Sequence, residues 1–272
     1  MGSHTFVLMK YIITGLISFF ALSQCSRKES PSTDTKDIAQ AGLVMDYKTS
    51  NRSVLFEFTS TGCPGCGSWG KPTVENMKAI HGDKLVPLAI HIKYNDIYIT
   101  DVSQAIADNR VGSRWTPQLW MNNENTTILE NGYISGEKSM EAMNDEVNSK
   151  VQDANISLGG AVQLIGRDFT GKYGLKLNKE AGKEYYLAAY LMEENLMSDQ
   201  QGSTNNPVQH HAVIRKAAFG AWGKKVVSTG EAQKVEFELT HDFSNGNHYM
   251  TVVLWEKIGT RYFVVDAAEF KQ

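Results

Sequence analysis

Cysteine is scarce in this chain, with only Cys25, Cys63 and Cys66 among its 272 residues. The last two form a Cys-x-x-Cys pair, and no second Cys or His pair stands at metal-ligand spacing, which argues against a zinc site. A formal net charge of -3 and the lack of a basic run argue against a nucleic-acid-binding protein. The C-terminal half has no Ser-His-Asp arrangement, phosphate-binding glycine loop or paired-carboxylate motif.

The apolar run near the N-terminus is short. Residues 11–21 follow Lys10 and are too few for a membrane-spanning helix, but their length and position are typical of a signal peptide. We therefore interpret residues 1–24 as a signal peptide whose translation starts at Met9.

The end of that run carries a second signal. Leu22-Ser23-Gln24-Cys25 resembles the bacterial lipobox, which implies that Cys25 is lipidated and becomes the mature N-terminus. Several acyl chains at Cys25 would anchor the protein stably to a membrane. A plain secretory signal with a chance cysteine is the alternative. Residues 25–39 are polar and predict a flexible lipidated tether. They fit either face of the membrane.

The chain is organised around residues 54–66. Residues 54–58 are β-branched, aliphatic and aromatic, which predicts a central strand, and the glycines and proline that follow turn the chain. A helix is indicated next by apolar residues at helical spacing: Val74, Met77 and Ile80. Cys63 and Cys66 then lie at a helix N-terminus, where backbone N–H groups favour a thiolate. This arrangement predicts thiol–disulfide exchange.

Three other interpretations of the cysteine pair stay open. A structural disulfide is one, although so small a loop contributes little chain entropy. Half of a metal site is the second, and an inactive remnant of a redox protein is the third.

The same region resembles the thioredoxin family. Glu57 stands six positions before Cys63, where thioredoxins carry a buried acid, and Trp115-Thr116-Pro117 resembles the element that contains their cis-proline. The resemblance covers residues 40–153 and implies an α/β thioredoxin-like domain. It implies catalytic roles for Cys63, Cys66 and Glu57, and substrate binding by Trp115, Thr116 and Pro117. Gly62 before the first cysteine and the Pro-Gly dipeptide between the cysteines depart from the family pattern.

Further elements are expected within this domain. Residues 85–92 read as a second strand, which gives a parallel βαβ unit, and residues 94–112 resemble a helical insertion of the thioredoxin family. Residues 118–121 and 126–129 predict two more strands, and methionines and valines between 140 and 151 predict a closing amphipathic helix. His91, near a strand end, is interpreted as a packed residue rather than a ligand.

The pattern changes near residue 155. Alternating or apolar stretches predict strands at residues 161–165, 185–191, 234–239, 249–255 and 262–265. Turns are expected between them at Gly171, Gly174, Gly182, Gly230 and Asn245-Gly246. Short strands with few helical stretches indicate an all-β sandwich domain over residues 154–272.

A motif in this second half carries a more specific resemblance. His211, Val213, Arg215 and a following glycine resemble a His-x-Val-x-Arg…Gly signature of the twenty-eight-kilodalton outer-membrane lipoprotein family of Bacteroidetes. That family combines a lipoprotein signal, a thioredoxin-like domain with Cys-x-x-Cys and a C-terminal β-sandwich. The resemblance implies an envelope location at the outer membrane. His210 and His211 point to opposite faces of a strand, so a shared ion is not expected, and Arg215 is expected to pair within the sandwich edge.

Two functions fit the sequence. The first is a lipid-anchored thiol–disulfide oxidoreductase of the cell envelope, acting on protein thiols or disulfides without a cofactor. In it, Cys63 is the more exposed attacking thiol, Cys66 resolves the mixed disulfide and Glu57 accepts a proton. The second is a surface binding or adhesion lipoprotein, with a non-catalytic thioredoxin-like scaffold and a partner-binding sandwich.

Overall fold

The structure is a computed structural model of the chain. It describes residues 42–49, 51–93, 95–177, 183–227, 232–241 and 247–272, which all belong to one compact unit, residues 35–272. The expected signal peptide, the lipidation site at Cys25 and the tether lie outside the described residues. So do three expected turns, at Gly182, Gly230 and Asn245-Gly246.

The first half of the described chain mixes short helices and strands, and the second half consists of strands. The first half contains β1 (Asp46–Thr49), β2 (Ser53–Thr59), a π-helix (Cys66–Gly70), α1 (Lys71–His81), a 3-10 turn (Gly82–Lys84), β3 (Leu85–His91), α2 (Asp101–Asp108), β4 (Gln118–Met121), β5 (Glu124–Asn125), β6 (Leu129–Glu130), β7 (Tyr133–Ile134) and α3 (Gly136–Ser149). The second half, which we name the β half (residues 154–272), contains β8 (Ile156–Ile165), β9 (Asp168–Leu177), β10 (Glu184–Glu194), β11 (Leu196–Ser198), β12 (Val208–His210), β13 (Val213–Ala217), β14 (Lys224–Val226), β15 (Gln233–Thr240), β16 (Asn247–Ile258) and β17 (Arg261–Lys271).

One mixed sheet joins the two halves. Within the described residues it has nine strands, eight of them in the order β17-β16-β10-β13-β3-β2-β4-β5, with β14 paired to β10. The seam is the parallel pairing of β13 with β3, where Val213 faces Ala89 and Ala89 N donates to Ala212 O at 2.8 Å. The two halves are therefore continuous through one sheet.

The nine-stranded sheet is strongly curved. Trp255 of β16 lies four strand spacings from Phe56 of β2, about 19 Å along a flat sheet. Their ring centroids are nevertheless 5.9 Å apart. The sheet therefore folds back on itself, and its inner face holds a core that both halves share, including Phe56, Phe58, Tyr190 and Trp255.

The outer face of the sheet is covered by different elements in the two halves. Around β2 and β4, Met77 of α1 and Met143 of α3 pack on Leu55 and Leu119. Around β10 and β16, a four-stranded sheet of order β1-β8-β9-β15 packs over a second core that includes Tyr173. The molecule is thus β-rich with mixed sheets. Among the helices in the described ranges, none combines the length and apolarity that crossing a bilayer requires.

Most expected elements appear near their expected positions. β2 and β3 form the expected parallel pair, and β4 has the expected bounds. The predicted strand at residues 126–129 is wrong, because short pairings at residues 124–125 and 129–130 stand in its place. Ile80 and Val151, expected on buried helix faces, are exposed: Ile80 lies outside the buried stripe of α1, and Val151 lies beyond the end of α3 at Ser149.

Several strands were not predicted from the sequence, and β9 and β1 are the most informative of them. β9 contains Gly171 and Gly174, which were expected to be turns, and at both positions a backbone carbonyl oxygen of a neighbouring strand leaves no room for a Cβ. β1 belongs in sequence to the first half, yet it pairs with β8 of the β half over residues 46–49.

The shared inner core generates a prediction for Trp255, which is 2 % exposed and donates from Nε1 to Tyr190 Oη at 3.1 Å. Trp255→Ala should lower the free energy of unfolding by about 3–5 kcal/mol, because a large buried ring is lost. Ile258→Ala on the same strand, where Ile258 is 56 % exposed, is the control and should change it by less than about 0.5 kcal/mol.

Urea unfolding with amide hydrogen exchange checks the result. Because Trp255 packs on Phe56, exchange protection in β2 should fall together with that in β16. Full protection of β2 in the Trp255→Ala protein would show that the two halves do not share a core.

Candidate redox site

Cys63 and Cys66 form a disulfide at the start of a helical segment. Cys63 directly precedes the first helical residues, and the segment continues as the π-helix Cys66–Gly70 and then α1. The backbone N–H of Cys66 donates to Cys63 Sγ at 3.1 Å. After reduction, this donor and the helix N-terminus favour a thiolate on Cys63.

Pro117 and Glu57 both approach this helical segment at Gly70. The Thr116–Pro117 peptide bond is cis. A Cβ on Gly70 would lie 3.0 Å from Pro117 Cβ and 3.4 Å from Glu57 Oε1, and a Cβ on Gly65 would lie 3.0 Å from Pro117 Cδ. A methyl group at either position would therefore press against the ring of Pro117, and at Gly70 it would also contact the carboxyl group of Glu57.

Glu57 is an acid held away from solvent. It lies in β2 on the face opposite Phe56 and Phe58 and is only 7 % exposed. Burial raises the pKa of Glu57, and the opposing charge of His91 and a hydrogen bond with Thr59 partly offset the rise. A carboxyl group with a raised pKa beside the helical segment that follows the cysteines is suited to proton transfer.

A buried carboxylate fixes the loop before the cysteines. Asp96 Oδ2 accepts from Thr61 N at 2.6 Å and from His91 Nδ1 at 2.8 Å. Burial alone would raise the pKa of Asp96, but the hydrogen bond and charge of His91 lower it to about 2. Asp96 is therefore ionised at neutral pH. It holds both the loop at Thr61 and the imidazole of His91 in place.

A cavity of about 400 Å³ opens beside these groups, between α1 and the β half. Its floor is apolar, with Val74, Pro87 and Ala89. Polar side chains from both halves complete its lining: Glu57, Lys71, Glu75, Lys78, His91, Glu194, Gln200, His210, His211, Glu269 and Lys271. The cavity gives the buried carboxyl group of Glu57 a polar space next to α1.

The residues expected to bind a substrate lie on the Pro117 side of the disulfide. Trp115 is half-buried and lines a groove of about 330 Å³ together with Gly112 and Phe263. Thr116 Oγ1 is buried and has no hydrogen-bond partner within the described residues. The structure thus brings Pro117 and Glu57 to the helical segment after the cysteines and leaves Trp115 at a neighbouring groove.

Both cysteines are buried, and Cys63, expected to be the more exposed thiol, is only slightly less buried than Cys66. Cys63 is 3 % exposed and Cys66 is 0 % exposed. A loop of the β half, residues 199–207 between β11 and β12, lies on the cysteine turn and covers it. Gln200 Nε2 in that loop donates to Cys63 O at 3.0 Å. Sequence reasoning missed this cover because the loop lies more than 130 residues from the cysteines.

The histidine motif of the β half is divided between two environments. His210 is buried against His91, with ring centroids 5.6 Å apart, and lies 2.9 Å from Ser198 Oγ. His211 is partly exposed and pairs with Glu194 at 2.8 Å. Arg215 pairs with buried Glu193 at 3.2 Å, as expected for a structural residue. No three His, Cys, Asp or Glu side chains in the described part of the chain group as metal ligands.

The comparisons with known proteins bear on the fold. No family model and no curated protein matches the sequence. Among solved structures, the chain is similar to HBP35 of Porphyromonas gingivalis, with a TM-score of 0.64 and 15 % sequence identity. The similarity covers 82 % of this chain and 75 % of that one. The chain therefore shares its fold with a protein from the Bacteroidetes, the phylum to which its sequence motif pointed.

His210 gives this site a testable pH dependence. Burial and then the charge of His91 lower the pKa of His210 to about 4, with Lys71 acting in the same direction and Asp96 opposing. When the pKa of a histidine is lower in the folded state than in the unfolded state, protonation of that histidine favours unfolding. The free energy of unfolding should therefore fall as the pH drops from about 6.5 towards 4. His210 should contribute up to about 3 kcal/mol of this decrease.

His210→Gln removes this titration and should show a smaller loss of stability between pH 7 and pH 4.5 than the unsubstituted protein. Urea unfolding at the two pH values measures the difference. Asp96, with a pKa of about 2, stays ionised throughout this range. Equal losses in both proteins would contradict the assignment.

Proposed function

We propose that this protein is a thioredoxin-like thiol–disulfide oxidoreductase of the cell envelope. The observation that carries the proposal is the convergence of the Cys63–Cys66 disulfide, cis-Pro117 and buried Glu57 on one helical segment. The Cys66 N–H contact to Cys63 Sγ adds support, since it favours Cys63 as the nucleophile of the reduced pair.

The reaction is a two-electron exchange. In the reduced protein, the Cys63 thiolate attacks a disulfide of a partner protein, and one partner sulfur leaves as a thiolate. Cys66 loses its proton and attacks Cys63, which releases the second partner sulfur. The partner gains two electrons as a dithiol, and the 63–66 disulfide forms. The reverse sequence oxidises a partner dithiol, and the reduction potential determines which direction prevails.

Glu57 serves the resolving step in this proposal. Cys66 is fully buried, so its thiol needs a nearby base before it can attack Cys63. Burial raises the pKa of Glu57 and so makes its carboxylate a better proton acceptor for this step. The proton can then leave through the cavity, which Glu57 and His91 both line. No bound cofactor takes part in these steps.

The envelope location belongs to the same proposal. The lipobox-like sequence ending at Cys25 supports a lipid anchor at the outer membrane, and the polar tether would hold the folded unit away from the lipid. The fold likeness to HBP35 of Porphyromonas gingivalis is compatible with this location.

A binding role is the second candidate, and two observations favour it. Both cysteines are covered, and a cavity of about 400 Å³ lined by both halves is large enough for a small ligand. In this alternative the disulfide stabilises the loop between β2 and the π-helix, and the β half recognises a partner. The two candidates differ in whether Cys63 ever bonds to another protein.

Cys66→Ser should trap mixed disulfides through Cys63, because the resolving thiol is absent. Cys63→Ser is the matched control and should trap few or none, since Cys66 is the more deeply buried cysteine. Non-reducing electrophoresis of envelope extracts detects the adducts. Absence of adducts in the Cys66→Ser protein, together with no thiol exchange by the purified protein, would reject the oxidoreductase in favour of a binding role.

The reduction potential of the pair then gives the direction of exchange. Equilibration with glutathione buffers should place it between about -270 mV, where the fold acts as a reductant, and about -120 mV, where it acts as an oxidant.

Cys25→Ala should release the protein from the membrane, because the acyl chains have no attachment site. Fractionation of envelopes from cells producing each form measures the change, with Cys63→Ser as a control that retains Cys25. Unchanged membrane association of the Cys25→Ala protein would rule out a lipid at this residue.

A further inference from the structure

The loop over the cysteines is held by hydrogen bonds to their own turn. Gln200 Nε2 donates to Ser60 O at 3.0 Å, to Thr61 O at 3.2 Å and to Cys63 O at 3.0 Å. The backbone of Gln201 donates to Thr61 O at 2.8 Å. One buried side chain of the β half therefore adds hydrogen bonds to three carbonyl groups of the cysteine turn, which also accept from backbone N–H groups.

The loop also fits the turn with almost no clearance. Gly202 has a φ of +79°, and a Cβ there would overlap the carbonyl oxygen of Pro64. A Cβ on Gly67, just after the disulfide, would lie 2.8 Å from both Gln200 Cγ and Ser203 N. Side chains larger than hydrogen are therefore excluded on both sides of this contact.

The covering loop is braced within itself. Gln200 N donates to Asn206 Oδ1 at 2.9 Å, and Asn206 Nδ2 donates back to Gln200 O at 3.2 Å. The flanking strands β11 and β12 form their own two-stranded pair, outside both larger sheets. The loop can therefore leave the cysteines as a unit without breaking the ladders of the main sheets.

We propose that residues 199–207 control access to the disulfide, and that Gln200 and Gly202 are the residues that determine how often the disulfide opens to a thiol. This inference rests on the proposed redox function. A thiolate must reach Cys63 Sγ in line with the S–S bond, and Cys63 is covered in the closed arrangement. Exchange then proceeds from a minor open state, so its rate depends on the population of that state.

The step can be followed with dithiothreitol as the reductant. Its thiolate attacks Cys63 Sγ, a mixed disulfide forms, and the 63–66 bond breaks with Cys66 leaving as a thiolate. The second thiol of dithiothreitol then closes its ring and releases Cys63. Two electrons pass to the protein, and the reagent becomes a cyclic disulfide.

Gly202→Ala tests the cover directly. The added methyl group clashes with Pro64 and must displace the loop, so reduction by dithiothreitol should accelerate by about tenfold or more. Gly166→Ala is the matched control, because Gly166 also has a positive φ, +62°, but has no atoms within 4 Å of its Cβ position. The control carries the same kind of backbone strain and should react at the rate of the unsubstituted protein.

Gln200→Met provides a second, independent variant. Methionine keeps the length of the side chain but donates no hydrogen bonds, so the hydrogen bonds from residue 200 to the cysteine turn are lost and the rate should again rise. A short oxidised peptide with the sequence of residues 60–69 gives the rate of an uncovered disulfide. Quenched alkylation and mass spectrometry measure each rate, and thermal unfolding identifies any variant that is globally destabilised.

Three results would overturn the proposal. The unsubstituted protein could react as fast as the peptide. Alternatively, both variants could react within about twofold of the rate of the unsubstituted protein. The Gly166→Ala control could also accelerate as much as Gly202→Ala, which would attribute the effect to backbone strain. Failure of the redox function gives a different result. The Cys66→Ser protein would then trap no partner, while the rates of reduction by dithiothreitol would be unchanged.

Discussion

The contact between Trp255 and Phe56 is the constraint on which the rest of this structure depends. It requires the nine-stranded sheet to fold back, so that the strands of the β half cover the inner face of β2. Burying this face removes a large apolar surface from water, which is the main stabilising contribution in a fold of this size. The same curvature brings the loop at residues 199–207 to the cysteines, although its sequence is distant.

A chain of buried polar groups links the redox site to the β half. Asp96 holds Thr61 and His91, and the ring of His91 lies against His210, which in turn lies within hydrogen-bonding distance of Ser198. Buried polar groups are costly unless each has a partner, so this arrangement is stable only when both halves are in place. The position of the covering loop is therefore coupled to the geometry of the turn that it covers.

Local signals in the sequence predicted the strand, turn and helix around the cysteines well. The apolar run at residues 54–58 has no alternative to a buried strand, and the spacing of Val74 and Met77 matches the buried face of α1. The pairing of β1 with β8 and the strand β9 were not predictable, because glycines that usually mark turns are used here for close packing. The covering loop over Cys63 was not predictable for a related reason, since nothing near the cysteines in sequence indicates a contact with Gln200.

By itself, the sequence determined the chemistry that is available: two cysteines at a helix start, an acid on the preceding strand and a proline after a threonine. These features follow from residue type and short spacing, which local conformational preferences govern. Only the tertiary structure decided that Glu57 and Pro117 meet at Gly70, that Asp96 is the carboxylate that holds His91, and that the disulfide is closed from solvent. Each of these depends on contacts between distant segments, which form when apolar burial selects one curvature of the sheet.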